Sequence, residues 1–65
     1  MNFTEDVMSI PNDAAMLLSY VNTQLRDHYS SFEDLCKSLS LDAESIITKL
    51  KSIDYSYDEK LNQFI

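Results

Sequence analysis

The chain contains no glycine and no tryptophan, one proline, one cysteine and one histidine, and only five lysines and arginines among 65 residues. Each scarcity removes a class of function. Without glycine there is no glycine-rich loop to cradle a phosphate at a helix start, and asparagine must serve wherever the backbone turns to positive φ. A single cysteine, Cys36, allows no internal disulfide and no zinc cluster. The one histidine, His28, falls at the end of an expected helix, where an imidazolium favours the dipole. No second histidine or activated nucleophile stands at recognisable spacing, so the chain is expected not to be an enzyme. Eleven acids against five bases give a net charge of −6, which disfavours non-specific attraction to nucleic acid or anionic membrane. No apolar run approaches the roughly 18 residues of a membrane span, and no basic stretch precedes a short apolar one as in a secretory leader. The expected location is therefore cytoplasmic. No cofactor, metal or small molecule is expected: Glu33, Asp34, Asp42 and Glu44 fall in first helical turns, where capping explains them, and no loop carries a calcium ligand series.

What is present is a globular balance, 45% apolar and 25% charged. The length suits one domain near the lower limit for a self-supporting core, worth about 3–5 kcal/mol, so a dimer interface would help it. The organising stretch is Ser31 to Ile53. Ser31 followed by Asp34 is a capping-box signature, and Phe32, Leu35, Cys36 and Leu39 then recur on one helical face. Asp42 can cap a further helix, Leu41 before it can staple onto Ile46, and Ala43, Ile46, Leu50 and Ile53 keep the period. Two helices separated by about three residues must cross as a helix-turn-helix.

Upstream, residues 1–10 show no clear period and read as a flexible N-terminal arm. Pro11 then punctuates the chain, and Asn12 or Asp13 can cap a helix whose stripe is Leu17, Leu18, Val21 and Leu25. Downstream the period changes. Asp58 suits the start of a type I turn, Asn62 suits the left-handed position of a bulge, and Tyr57 and Phe64 would then pair across a short β-hairpin. The expected fold is mainly α: residues 11–65 form a single small three-helix domain, with helices over about 14–28, 32–39 and 43–53. The last two make the helix-turn-helix, and a short C-terminal β-hairpin follows over about 55–65. The expected core is Leu17, Leu18, Val21, Leu25, Phe32, Leu35, Cys36, Leu39, Ile46, Leu50, Ile53, Tyr57 and Phe64.

The stretches P-N-D-A-A-M-L-L-S-Y-V-N-T-Q-L-R-D-H-Y-S-S and I-D-Y-S-Y-D-E-K-L-N-Q-F resemble a family of short bacterial proteins known as a domain of unknown function. The resemblance runs from Pro11 to the C-terminus. Its members often carry proline where this chain has Ala14, suiting a first helical position, and glycine where it has Asp54, suiting a helix C-cap. It implies a bacterial, cytoplasmic protein and supplies no activity.

Two functional readings follow from the residues. In the first, the domain is a non-catalytic protein-interaction or adaptor module, acting on an unidentified protein or as a homodimer. Ile47 beside Ile46 widens the apolar arc of the third helix beyond one core-facing stripe, and Tyr20 and Tyr29 add aromatic surface around the first helix. Asn22 and Arg26, one turn apart, project as a polar pair, either as a structural ion pair or cap for a neighbouring helix or as a contact for a partner's carboxylate or phosphate. In the second, the chain is a DNA-binding regulator. The spacing of Leu35, Cys36, Leu39, Leu41, Ile46 and Leu50 resembles that of DNA-binding helix-turn-helix units, and Thr48, Lys49 and Lys51 would meet the nucleic acid. Against this, the start of the would-be recognition helix carries Asp42 and Glu44, aimed at phosphates. The interaction module is the expected function.

Overall fold

A computed structural model describes residues 11–65; the expected arm over 1–10 lies outside the described residues. The chain forms α1 (Ala14–Asp27), α2 (Phe32–Leu39), α3 (Ala43–Lys51), β1 (Tyr57–Asp58) and β2 (Gln63–Phe64). Three helices and a C-terminal antiparallel hairpin are the architecture the sequence predicts. Among the described residues no helix is long and apolar enough to cross a membrane.

Each helix starts at a residue with extended backbone. Asp13 accepts the Met16 amide at 3.1 Å to open α1, and Ser31 accepts the Asp34 amide at 3.0 Å to open α2, each satisfying an orphan N–H of the first turn. Asp42 holds the corresponding position for α3 but caps no amide; its carboxylate instead accepts the Ser45 hydroxyl at 2.8 Å. α3 also stops at Lys51, short of the expected Ile53, because Asp54 adopts φ 68°. Around it the Tyr55 amide bonds Leu50 O and the Asp54 amide bonds Lys51 O, the paired bonds of a Schellman ending. A similar left-handed residue, Ser40, turns the chain between α2 and α3, with the Leu41 amide reaching back to Cys36 O. Positive φ therefore falls on a serine, an aspartate and an asparagine (Asn62), not on asparagine alone. Backbone bonds across the first two turns hold these residues where glycine would be the easier choice.

The hairpin pairs Tyr57 with Phe64 and Asp58 with Gln63. Both strands fall within the expected 55–65, and Ser56 and Ile65 extend the ladder by exchanging two backbone bonds of 2.9 Å. At the tip the Asp58 carboxylate accepts the Leu61 amide and Asn62 takes φ 53°. Because Ser56 and Ile65 are a hydrogen-bonded pair, the alternation of an antiparallel ladder turns the N–H and C=O of Phe64 away from β1. Asn22 of α1 meets both: its Oδ1 accepts the Phe64 N–H at 2.8 Å and its Nδ2 donates to Phe64 O at 3.1 Å. A helix side chain thus acts as a one-residue strand along the hairpin edge.

A second asparagine ties the hairpin tip to two helices. Asn62 Nδ2 donates to Leu25 O and Tyr29 O, carbonyls at the end of α1 and just beyond it. Its Oδ1 accepts the Tyr57 hydroxyl at 2.6 Å, and that hydroxyl oxygen accepts the Phe32 amide at the start of α2. Below this network Phe32, Tyr57 and Phe64 form an aromatic triangle with centroids 5.0–5.6 Å apart, a geometry worth about 0.5–1.5 kcal/mol per pair beyond the burial itself. The buried core is Leu17, Val21, Leu25, Phe32, Leu35, Cys36, Ile46, Leu50 and Phe64, all of them expected. Leu18, Leu39, Ile53 and Tyr57 pack against it half-buried.

Candidate functional site

α2 and α3 leave a groove between them. Ile46 and Ile47 are consecutive, so about 100° of helical rotation separates them, and the core that takes Ile46 leaves Ile47 largely uncovered. Ile46 is 3% exposed and Ile47 is 42% exposed. Ala43 lies one turn before Ile47 on the same face, and its small side chain leaves the space beside Ile47 unfilled. The result is an open groove of about 720 Å³ with an apolar floor of Phe32, Cys36, Leu41, Ala43, Ile47 and Tyr57. Its rim carries Ser30, Ser31, Glu33, Lys37 and Glu59. The volume falls within the roughly 300–1,000 Å³ range of binding clefts.

The rim charges are loosely held. Lys37 and Glu33 lie 3.5 Å apart one turn apart on α2, both exposed, a contact worth at most a few tenths of a kcal/mol. Burial pushes the Cys36 thiol above its ordinary pKa, and the neighbouring Asp42 carboxylate pushes it further. The thiol is therefore protonated at neutral pH and sits in the floor as a small, largely apolar side chain.

Of the expected partner contacts, the groove contains Ile47 alone. Tyr20 is half-buried and packs against the core, as does Tyr29. Asn22 and Arg26 do not act as a pair. The Asn22 amide bonds the Phe64 backbone through both its oxygen and its nitrogen, and Arg26 turns to its neighbour Asp27, bonding it at 2.9 and 3.1 Å. The Arg26 hydrogen bond holds the Asp27 carboxyl below its ordinary pKa and raises that of the guanidinium. Asn22 thus takes the capping role that the sequence left open, with a strand rather than a helix as its neighbour.

The residues of the DNA-binding alternative are also placed. Thr48 and Lys51 are exposed on α3, whereas Lys49 Nζ is held by Asn12, at 3.1 Å from its carbonyl and 2.6 Å from its side-chain oxygen. Thr48 and Lys49 share a shallow surface with Asp42 and Glu44. Among the described residues no cluster of three His, Cys, Asp or Glu could hold a metal ion. Sequence reasoning missed the groove floor: Leu41 reads only as a staple and Ala43 only as a position keeping the helical period. The one available signal was the adjacency of two isoleucines.

Comparison with curated proteins and with solved structures returns no match. Residues 11–64, nearly all that the structure describes, match a family model, and the chain belongs to that family, described as a domain of unknown function (DUF4250).

Proposed function

We propose that this domain is a non-catalytic protein-interaction module that receives its partner in the groove between α2 and α3. The observation that carries this reading is Ile47, a large apolar side chain left exposed at the edge of an unfilled apolar floor. Two further features support it. The Cys36 thiol at the floor is held protonated, which suits contact rather than covalent chemistry. On the neighbouring face of α3, Asp42 and Glu44 stand where phosphates would approach, and Lys49 is already bonded within the domain. A bacterial, cytoplasmic setting is part of the same proposal and rests on the resemblance of the sequence to a family of short bacterial proteins.

Photo-crosslinking in the native host tests the reading. A benzophenone side chain replacing Ile47 is expected to give a discrete protein adduct. The same group replacing Thr23, exposed on α1, is expected to give none. Adducts to nucleic acid from position 47, or the same adducts from both positions, would overturn it.

A further inference from the structure

The groove has a charge pattern as well as an apolar floor. At one end, Glu33 lines it, and a shallow continuation adds Asp34 beside Ser30 and Ser31. At the hairpin end Glu59 lines it. The lone base on this surface, Lys37, is matched by Glu33 one turn away. None of the other four cations lines the groove: Arg26 is bonded to Asp27 on α1, Lys49 is bonded to Asn12, Lys51 ends α3, and Lys60 follows Glu59 at the hairpin tip. The whole chain carries −6. An approaching molecule therefore meets an acidic rim around an apolar floor.

That pattern discriminates among occupants. A second copy would bring a second acidic rim against the first, and nucleic acid or an anionic membrane would bring phosphates; like charges at close range oppose all three. A cationic segment gains from the same field. Because α2 has eight residues, about 12 Å of helix, the groove is too short for an extended surface. It suits a couple of turns presenting one bulky aliphatic side chain, the helix-in-groove mode of recognition. Resting on the reading of the groove as a docking site, we propose that its occupant is a short cationic amphipathic helix of a partner protein. A leucine- or methionine-like anchor enters beside Ile47 and Cys36, and lysines or arginines face Glu33, Asp34 and Glu59.

Titration of the full isotope-labelled chain with synthetic peptides tests this. The probes are a short amphipathic helix of leucine and lysine, the same helix with glutamate for lysine, and a scrambled leucine–lysine sequence without an apolar face. The leucine–lysine helix is expected to bind saturably and shift the amides of Lys37, Leu41, Ile47 and Glu59. The scrambled peptide is expected to bind about tenfold more weakly, and Ile47→Ser, which leaves the charge unchanged, to weaken the helix similarly. Glu59→Lys is expected to weaken the cationic helix and admit the anionic one, with thermal melts of both variants confirming that they fold. If the anionic helix binds the groove as well as the cationic one, the inference fails and the interaction module stands. It fails in the same way if the groove amides broaden with protein concentration alone, which would make the occupant a second copy. If neither peptide shifts the groove, the inference fails, and absence of a crosslink from position 47 would then remove the interaction reading as well.

Discussion

The two sides of this domain treat their surfaces in opposite ways. Where α1 meets the hairpin, the backbone groups turned outward by β2 find partners in Asn22, Asn62 bonds the end of α1 and reaches the start of α2 through the Tyr57 hydroxyl, and Phe64 is 2% exposed. Where α2 meets α3, the floor is open, Ile47 is left outside the core, and the rim charges form one exposed contact. Apolar side chains line both regions, so hydrophobicity does not separate them. What separates them is whether polar side chains lock the contact. The difference teaches that a domain this small can leave one apolar face open because the other is bonded shut.

The comparison predicts a gradient of mutational effects. Phe64→Ala should be the most damaging, because removing a fully buried phenylalanine costs about 3–5 kcal/mol, comparable to the whole core of a domain of this size. Circular dichroism at 25 °C should show a largely unfolded chain; a cooperative melt near that of the parent would make the hairpin an ornament and dissolve the contrast. Asn22→Ala comes next. It leaves the outward N–H and C=O of Phe64 unpartnered, at about 1–3 kcal/mol in urea unfolding, and should hasten hydrogen exchange at the Phe64 amide.

Replacements of Asn62 sharpen the contrast further by separating bonding from backbone geometry. Asn62→Ala and Asn62→Gly both lose the bonds to Leu25, Tyr29 and Tyr57, but only alanine must also be forced to φ 53°. The glycine variant should be the more stable by about 1 kcal/mol. Equal losses would mean that the turn relaxes when its amide is gone.

The smallest effect concerns the open side. With its folded pKa raised, the Cys36 thiol adds no instability below the ordinary thiol range. As pH rises from that range through the raised value, stability should fall, because the unfolded chain releases its proton first. The pH profile of alkylation should have its midpoint above that of a short cysteine peptide. A midpoint at or below the peptide's would mean that the groove floor is wetter than its lining suggests.

Much of this fold was legible because its signals are local. The caps at Asp13 and Ser31, the apolar stripes, and the pairing of Tyr57 with Phe64 between Asp58 and Asn62 all follow from spacing within a few residues. The end of α3 was harder to place, since the helical period runs on to Ile53 and only the left-handed Asp54 stops it. The role of Asn22 was legible only as one of two alternatives. Its spacing marks it as a polar residue on α1, and nothing near it announces a main-chain partner 42 residues away. The groove was less legible still, because an unfilled volume depends on how two helices cross. The sequence showed one isoleucine too many on α3, and neither the depth beside it nor the rim that Glu59 completes from the hairpin.

Both locks, Asn22 and Asn62, depend on an intact side-chain amide. Hydrolysis of Asn62 to a carboxylate would remove the donor that serves Leu25 O and Tyr29 O and put negative charge against both. The same change at Asn22 would face a carboxylate toward Phe64 O. Such hydrolysis begins when the next backbone nitrogen attacks the side-chain amide, and it runs fastest where that next residue is glycine. Asn22 is followed by Thr23 inside α1, and Asn62 by Gln63 inside β2. A chain without glycine must bend serine, aspartate and asparagine into left-handed turns, and in return its amide locks have slow chemical clocks.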